Sequence, residues 1–359
     1  MTPRRLRALG AGSLAAIIVA SCSHSSPSSS STSSSSASPV TTGPSRAAPP
    51  TTGAAVSAAD GAPRASAGCR PVGAPTSEQP GTPPAVSPGL STVTIQSGGS
   101  DRSFTAYLPA SYSATKPAPI VFDFHGFGSN AAQQMVYGDF RPLADAHGLI
   151  VVAPNGQGQA ASRHFNLTNV AGEADDVAFT LAVLDRFEAS MCVDTRRVYS
   201  AGMSDGGGMT SLLACRASDR FAAFGPVAVV FYDPQCATAR SVPIAAFQGT
   251  ADPIVPFNGG AVHCCGGAVV PAAPASMASW AAHDGCGAQP VEDQLSPMVL
   301  LRRWSGCSAG AEVRFYIIEG GGHTWPGGAI RLAVLGPTTS QISASDTLWA
   351  FFAQHPLPT

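Results

Sequence analysis

The sequence predicts an α/β domain, a mostly parallel sheet with helices on both faces. Two observations carry this prediction. From Cys69 onward, short β-rich apolar runs alternate with longer stretches of helical periodicity. A serine flanked by glycines then falls between one such run and the helix that follows it.

The elements follow in order. Strands are expected at Ser103–Leu108, Ile120–Phe124, Leu149–Ala153, Arg197–Ala201, Val227–Phe231, Pro243–Gln248 and Val313–Ile318. Between the third and fourth, Glu173–Ser190 sets Val177, Leu181 and Leu184 on one helical face, with Phe179, Val183 and Phe187 beside it. A helix leaves Ser204 with Met209, Leu212 and Leu213 at core spacing. Further helices are expected at Ser276–His283 and Ser343–Gln354. The chain shows no internal repeat.

The N-terminal region reads differently. Arg4, Arg5 and Arg7 precede an apolar stretch, Leu9 to Ala20, that is too short for a stop-transfer helix and fits an export signal. It ends in Val19-Ala20-Ser21-Cys22, which resembles a bacterial lipobox, so residues 1–22 are expected to be a lipoprotein signal with Cys22 as the lipidated residue. The other reading is an ordinary secretory signal followed by an incidental cysteine. Residues 23–68 are mostly Ser, Thr, Ala, Pro and Gly with few large apolar side chains. Such a segment cannot bury enough surface to offset its ordering entropy and is expected to be a disordered tether. The folded domain then runs over 69–359, enough chain for one large core.

A formal net charge of −2 and a charged fraction of 12% argue against nucleic acid as a partner. Eight cysteines follow Cys22, an even number that favours disulfides in an exported chain. A strand rising toward Ser204 and a helix descending from it would leave Cys192 and Cys215 at the same sheet edge, so these two are expected to pair, as are Cys286 and Cys307. No C-x-x-C spacing points to a metal, and His263-Cys264-Cys265 is read as no metal site.

Gly202-Met203-Ser204-Asp205-Gly206 matches G-x-S-x-G, with a strand before it and Gly207-Gly208 opening the helix after it. A serine hydroxyl needs a base to become a nucleophile at neutral pH. Asp252 follows the run Pro243–Gln248, and His323 follows Val313–Ile318 through Gly320-Gly321-Gly322. The order Ser204, Asp252, His323, each after a successive strand, is that of α/β-hydrolases. The oxyanion donors are expected to be the amides of Asp205 and of Phe127, the latter in His125-Gly126-Phe127-Gly128. His125 itself is read as structural. Asp175 and Asp176 open a helix whose N-terminus favours carboxylates, so a capping role is preferred over that of triad acid. Trp325 is read either as a cleft residue or as a brace for the His323 loop.

Ile120–Gly128, Asp175–Phe179, Asp194–Gly207, Gly249–Pro256 and Gly321-Gly322-His323-Thr324-Trp325-Pro326-Gly327 together resemble the polyhydroxybutyrate depolymerase and feruloyl esterase group. These are secreted α/β-hydrolases related to carbohydrate esterase family one. With the lipobox, the chain resembles an actinobacterial lipoprotein esterase of that group. The resemblance implies a serine esterase with no cofactor and with Ser204, Asp252 and His323 as its triad. It implies a small-molecule or envelope ester as substrate: short acyl, feruloyl-type or hydroxyalkanoate. The lipobox and tether lead to the expectation of a monomer held by its lipid on the outer face of the cell membrane, from which it can be shed or secreted. The rival is a non-catalytic lipoprotein that binds glycan or polyester on a hydrolase scaffold. Three departures stand out: Asp205 where the group usually has Asn, Gln248 where many members have His, and the insert Ala261–Ala273.

Overall fold

The computed structural model describes residues 62–71, 86–168, 170–233, 236, 240–264 and 267–358. The expected signal, Cys22 and most of the expected tether lie outside the described residues.

Ten strands form one sheet. In chain order they are β1 (Gly89–Ser97), β2 (Ser100–Leu108), β3 (Ala118–Phe124), β4 (Ile150–Pro154), β5 (Val193–Met203), β6 (Ala223–Val227), β7 (Ile244–Gly249), β10 (Val291–Ser296), β11 (Val299–Trp304) and β12 (Val313–Ile318). β8 (Gly260–Ala261) and β9 (Val269–Val270) make a separate two-stranded hairpin. The sheet order is β1-β2-β4-β3-β5-β6-β7-β12-β11-β10. Its centre, from β4 to β12, is parallel, and antiparallel pairs close both sides. The helices are α1 (Ala131–Tyr137), α2 (Arg141–His147), α3 (Asp176–Ser190), α4 (Asp205–Arg216), α5 (Ala273–His283) and α6 (Ala344–Phe352).

Central strands buried on both faces read as continuous apolar runs, and β3, β4 and β7 are buried at every position. One face packs Phe104, Phe122, Phe124 and Phe315 against α3, α4 and α5. The other packs Tyr199, Phe247 and Tyr316 against α1, α2 and α6. Each large side chain removed from water contributes about 1.5–3 kcal/mol before entropy is counted. The two-sided core therefore holds the strand ends, and the loops they carry, in fixed register.

Three expectations are corrected. The strand placed at Val227–Phe231 is shifted to Ala223–Val227, because the chain turns out of the sheet at Ala228, whose φ is +59°. Beyond it, Val229 lines a cleft and Val230 packs into the core instead of extending the sheet. Cys192 does not pair with Cys215. Cys192 is bonded to Cys69, and Cys215 to Cys236, whereas Cys286 pairs with Cys307 as expected. The reason lies in the segment before the domain. Ala65 bridges Asp194, and the Ser66 amide donates to Val193 O at 2.9 Å, which brings Cys69 to the start of β5. Residues 64–66, assigned to the tether, are thus docked on the sheet. Cys264 is also disulfide-bonded.

Candidate active site

Ser204 sits at the turn between β5 and α4 with φ +57° and ψ −120°, a conformation costly for a residue with a Cβ. Surrounding contacts hold it there. Its amide donates to Val227 O at 2.8 Å, and the glycines on either side allow the turn to close. A Cβ on Gly202 would lie 2.4 Å from Gly206 O, and one on Gly206 would lie 2.0 Å from Phe124 O. Any side chain at either position would push strand and helix apart.

Asp252 and His323 come from the loops after β7 and β12, which are parallel neighbours. His323 Nδ1 lies 2.8 Å from Asp252 Oδ2, and both side chains are buried. The other oxygen, Asp252 Oδ1, accepts the amides of Ile254 and Val255, each at 2.8 Å. The side-chain amide of Gln248 donates to Oδ2 at 3.0 Å. Four donors thus converge on one carboxylate and fix its orientation. The His323 amide is fixed in turn by Leu335 O at 2.6 Å.

Ser204 and His323 line one cavity of about 70 Å³, together with Gly126, Phe127, Gln134, Tyr137 and Leu335. A Cβ on Gly126 would stand 3.3 Å from Ser204 Cβ, so the His125–Gly128 loop lies directly against the serine. His125 anchors that loop. Its Nε2 accepts from the Gly156 amide at 3.0 Å, which leaves the proton on Nδ1 to be donated to Gly126 O at 2.7 Å. Burial lowers this imidazole to a pKa of about 4, so it stays neutral and structural. Phe127 lies in this loop, and Asp205 is the first residue of α4, where unpaired amides gather. The expected oxyanion donors therefore flank Ser204 from two elements.

The Asp205 carboxyl is anchored to the backbone of a neighbouring loop. Its Oδ2 accepts the Phe165 amide at 2.7 Å, and burial pushes its pKa up to about 7 despite that bond. Asp175 caps α3 by accepting from Ala178 at 2.9 Å, and Asp176 is paired with buried Arg102. Neither approaches the triad position. Trp325 is buried, donates to Ser345 Oγ at 3.0 Å and packs edge-on against Phe140, so it is a brace. His263 Nδ1 bonds Pro253 O at 2.8 Å. Among the described residues, no group of three or more His, Cys, Asp and Glu is placed to hold a metal.

Sequence reasoning flagged Gln248 only as a departure and gave it no role. It also missed a second cavity of about 320 Å³ that borders Ser204, whose walls include Phe127, Leu167, Val229, Val262 and Val270. Its lining comes from several loops distant in sequence, so no local pattern announces it.

Comparison with known proteins finds esterases. The chain is 29% identical over 229 residues to feruloyl esterase B of Piromyces equi, covering 62% of this chain and 42% of that protein. It is 27% identical over 317 residues to NocK, a protein named as an esterase in Nocardia uniformis subsp. tsuyamanensis, covering 79% of this chain and 92% of that one. A poly(3-hydroxybutyrate) depolymerase of Ralstonia pickettii matches at 32% identity over 33% of this chain and 27% of its own length. The chain thus spans less than half of the Piromyces and Ralstonia proteins. Among solved structures, the acetyl xylan esterase from Aspergillus awamori superposes with a TM-score of 0.54 at 14% identity, over 74% of this chain and 98% of that one, a likeness of fold. The sheet is that of an α/β-hydrolase. Residues 102–308, which contain Ser204 and Asp252, match the model of the esterase PHB depolymerase family, and the chain belongs to that family.

Proposed function

We propose that the protein is a serine esterase that hydrolyses carboxylic esters through an acyl-enzyme on Ser204. The observation that carries this reading is the Asp252–His323 pair opening onto the same cavity as a serine held on a strained strand-to-helix turn. In this mechanism His323 accepts the Ser204 proton as Oγ attacks the ester carbonyl, and Asp252 steadies the imidazolium. The amides of Phe127 and Asp205 receive the oxyanion. The C–O bond to the alcohol then breaks, and the departing oxygen takes the proton from His323. Water, deprotonated by the same imidazole, attacks the acyl carbon and restores the serine. No step calls for a cofactor.

Short acyl or aromatic esters suit this site better than polymeric hydroxybutyrate. A polymer-degrading enzyme must dock on a chain or solid surface, which usually calls for an exposed apolar patch or an appended module. The protein acts as an exported monomer, anchored at Cys22 beside the membrane, where soluble or envelope esters reach it.

The test is fluorophosphonate labelling together with butyrate ester hydrolysis. The wild type should label and turn over, Ser204→Ala should do neither, and His323→Ala should lose several orders of magnitude in turnover. Asp252→Asn should lose less than Ser204→Ala. A Ser204→Ala variant with wild-type turnover would refute the reading.

A further inference from the structure

Two cavities meet at Ser204 and Phe127, and they differ in size and chemistry. The smaller, about 70 Å³, is lined by His323 together with Tyr137, Met203 and Leu335. The larger, about 320 Å³, does not reach His323. Its aliphatic lining includes Leu167 and Val229, together with Val262, Ala268 and Val270 of the β8–β9 hairpin.

The chemistry of acyl transfer decides which half of an ester fits where. The departing alcohol oxygen must collect its proton from His323, so the alcohol lies on the imidazole side. The acyl carbon stays on Ser204 Oγ, and its substituent projects to the other side. The larger cavity is therefore the acyl side. Its lining also includes Glu173, Asp205 and His164, and His164 Nε2 lies 3.4 Å from Glu173 Oε2. An anionic acyl tail would meet like charge there, whereas a neutral one meets the valines.

The hairpin is also tied to the triad. Val262 N donates to Ala268 O at 2.7 Å within the hairpin, and His263 N donates to Ile254 O at 2.8 Å. Ile254 and Val255 in turn donate to Asp252. The wall is thus held in register with the catalytic carboxylate.

We infer that the β8–β9 hairpin determines acyl specificity, clamping a neutral, branched or aromatic acyl group in the larger cavity while a small alcohol leaves through the cavity beside His323. This rests on the acyl-transfer reading above.

The test uses the full chain, titrated for active sites, and alkyl esters followed by pH-stat. One series varies the acyl group (methyl acetate, butyrate, cinnamate) and one the alcohol (methyl, butyl, benzyl butyrate). A charge pair compares methyl valerate with monomethyl succinate. For the wild type, kcat/KM should rise at least tenfold from methyl acetate to methyl cinnamate and fall at least tenfold from methyl to benzyl butyrate. Monomethyl succinate should be at least tenfold poorer than methyl valerate. Val262→Phe should cut the cinnamate-to-acetate ratio at least tenfold and move the benzyl-to-methyl ratio by less than twofold. Leu335→Ala should raise the benzyl-to-methyl ratio instead. Val270→Phe, on the same wall, repeats the first arm should Val262→Phe fail to fold. If the hairpin variants shift the alcohol ratio, or neither ratio, the assignment is overturned. If the wild type turns over no ester and takes no fluorophosphonate, the esterase reading falls and the inference with it. Turnover in the wild type that is silent in Ser204→Ala isolates the test of the hairpin.

Discussion

The side-chain amide of Gln248 and the imidazole of His323 share one acceptor: Asp252 Oδ2 lies 3.0 Å from Gln248 Nε2 and 2.8 Å from His323 Nδ1. Gln248 is fully inside the fold, near the end of β7 before the acid loop. It holds the carboxylate that holds the base.

Replacing Gln248 by Met keeps its length and removes the donor. A hydrogen bond to a charged group is worth about 1.5–3 kcal/mol, and losing this one frees the carboxylate to rotate. We expect kcat/KM for a butyrate ester to fall about tenfold with KM nearly constant, since Gln248 lines neither cavity. Steady-state kinetics on the purified variant, with Tm as a folding control, decides it. Unchanged kcat would show that the two backbone amides on Asp252 Oδ1 suffice.

Asp205 gives a pH dependence whose sign can be worked out. Burial raises its carboxyl to about 7 in the folded chain, above the ordinary 3.8, with His164 and the Phe165 amide pulling it down and Asp176 pushing it up. Below pH 4 both folded and unfolded chains hold the proton, and there is no effect. Between about 4 and 7 the unfolded chain releases it first, so stability declines as pH rises and levels off above 7. Asn keeps an oxygen for the Phe165 amide and cannot ionise. Asp205→Asn should therefore have a higher Tm than wild type at pH 8 and the same Tm near pH 4. It should also lose any decline in kcat/KM as pH rises through 7, because no charge then develops beside the oxyanion amides. Parallel Tm curves at all pH values would count against a raised Asp205.

The legible parts of the fold and site were those written locally. Parallel central strands are apolar along their whole length, and the Ser, Asp and His positions each follow such a run, so order and spacing suffice to find them. The edge pairs escaped notice: β1 and β10 are largely exposed and polar, and β11 interrupts its apolar run with Arg302 and Arg303. The helices α1 and α2 are seven residues each, too short for a periodic signal. What depends on distant pieces meeting, such as the larger cavity or the Cys69 partner, has no local signature.

The lipobox predicts lipid on Cys22, which lies outside the described residues. The docked segment supplies a geometric reason for placing an anchor there. Residues 64–66 run along the first residues of β5, and Ser204 follows its last, so the strand's eleven residues, roughly 33 Å, separate tether attachment from the site. An anchored domain would hold its cleft away from the attachment point. Intact-mass analysis of membrane-extracted protein should find acyl chains on Cys22, and Cys22→Ala should move the protein from the detergent phase to the aqueous phase. An unmodified mature mass would remove the anchor.

The Cys69–Cys192 bridge should separate stability from catalysis. It closes a loop across 123 positions of sequence, for which chain entropy gives about 5 kcal/mol at most, a model-dependent figure. It acts beside other ties of the same segment: Arg64 N to Asp194 Oδ1 at 2.9 Å, Ser66 Oγ to Met191 O at 2.8 Å and Gly68 N to Glu188 O at 2.8 Å. Loss of the bridge should therefore loosen the start of β5, while the far end of the strand stays clamped between β3 and β6. The double variant Cys69→Ala/Cys192→Ala should unfold at lower urea, with a loss of roughly 2–5 kcal/mol. Its kcat/KM at 25 °C should stay within twofold of wild type. Peptide mapping of the oxidised wild type should recover Cys69 and Cys192 in one disulfide-linked pair. A Cys192–Cys215 peptide would sink the pairing, and a double variant as stable as wild type would mean that the backbone ties alone hold the segment.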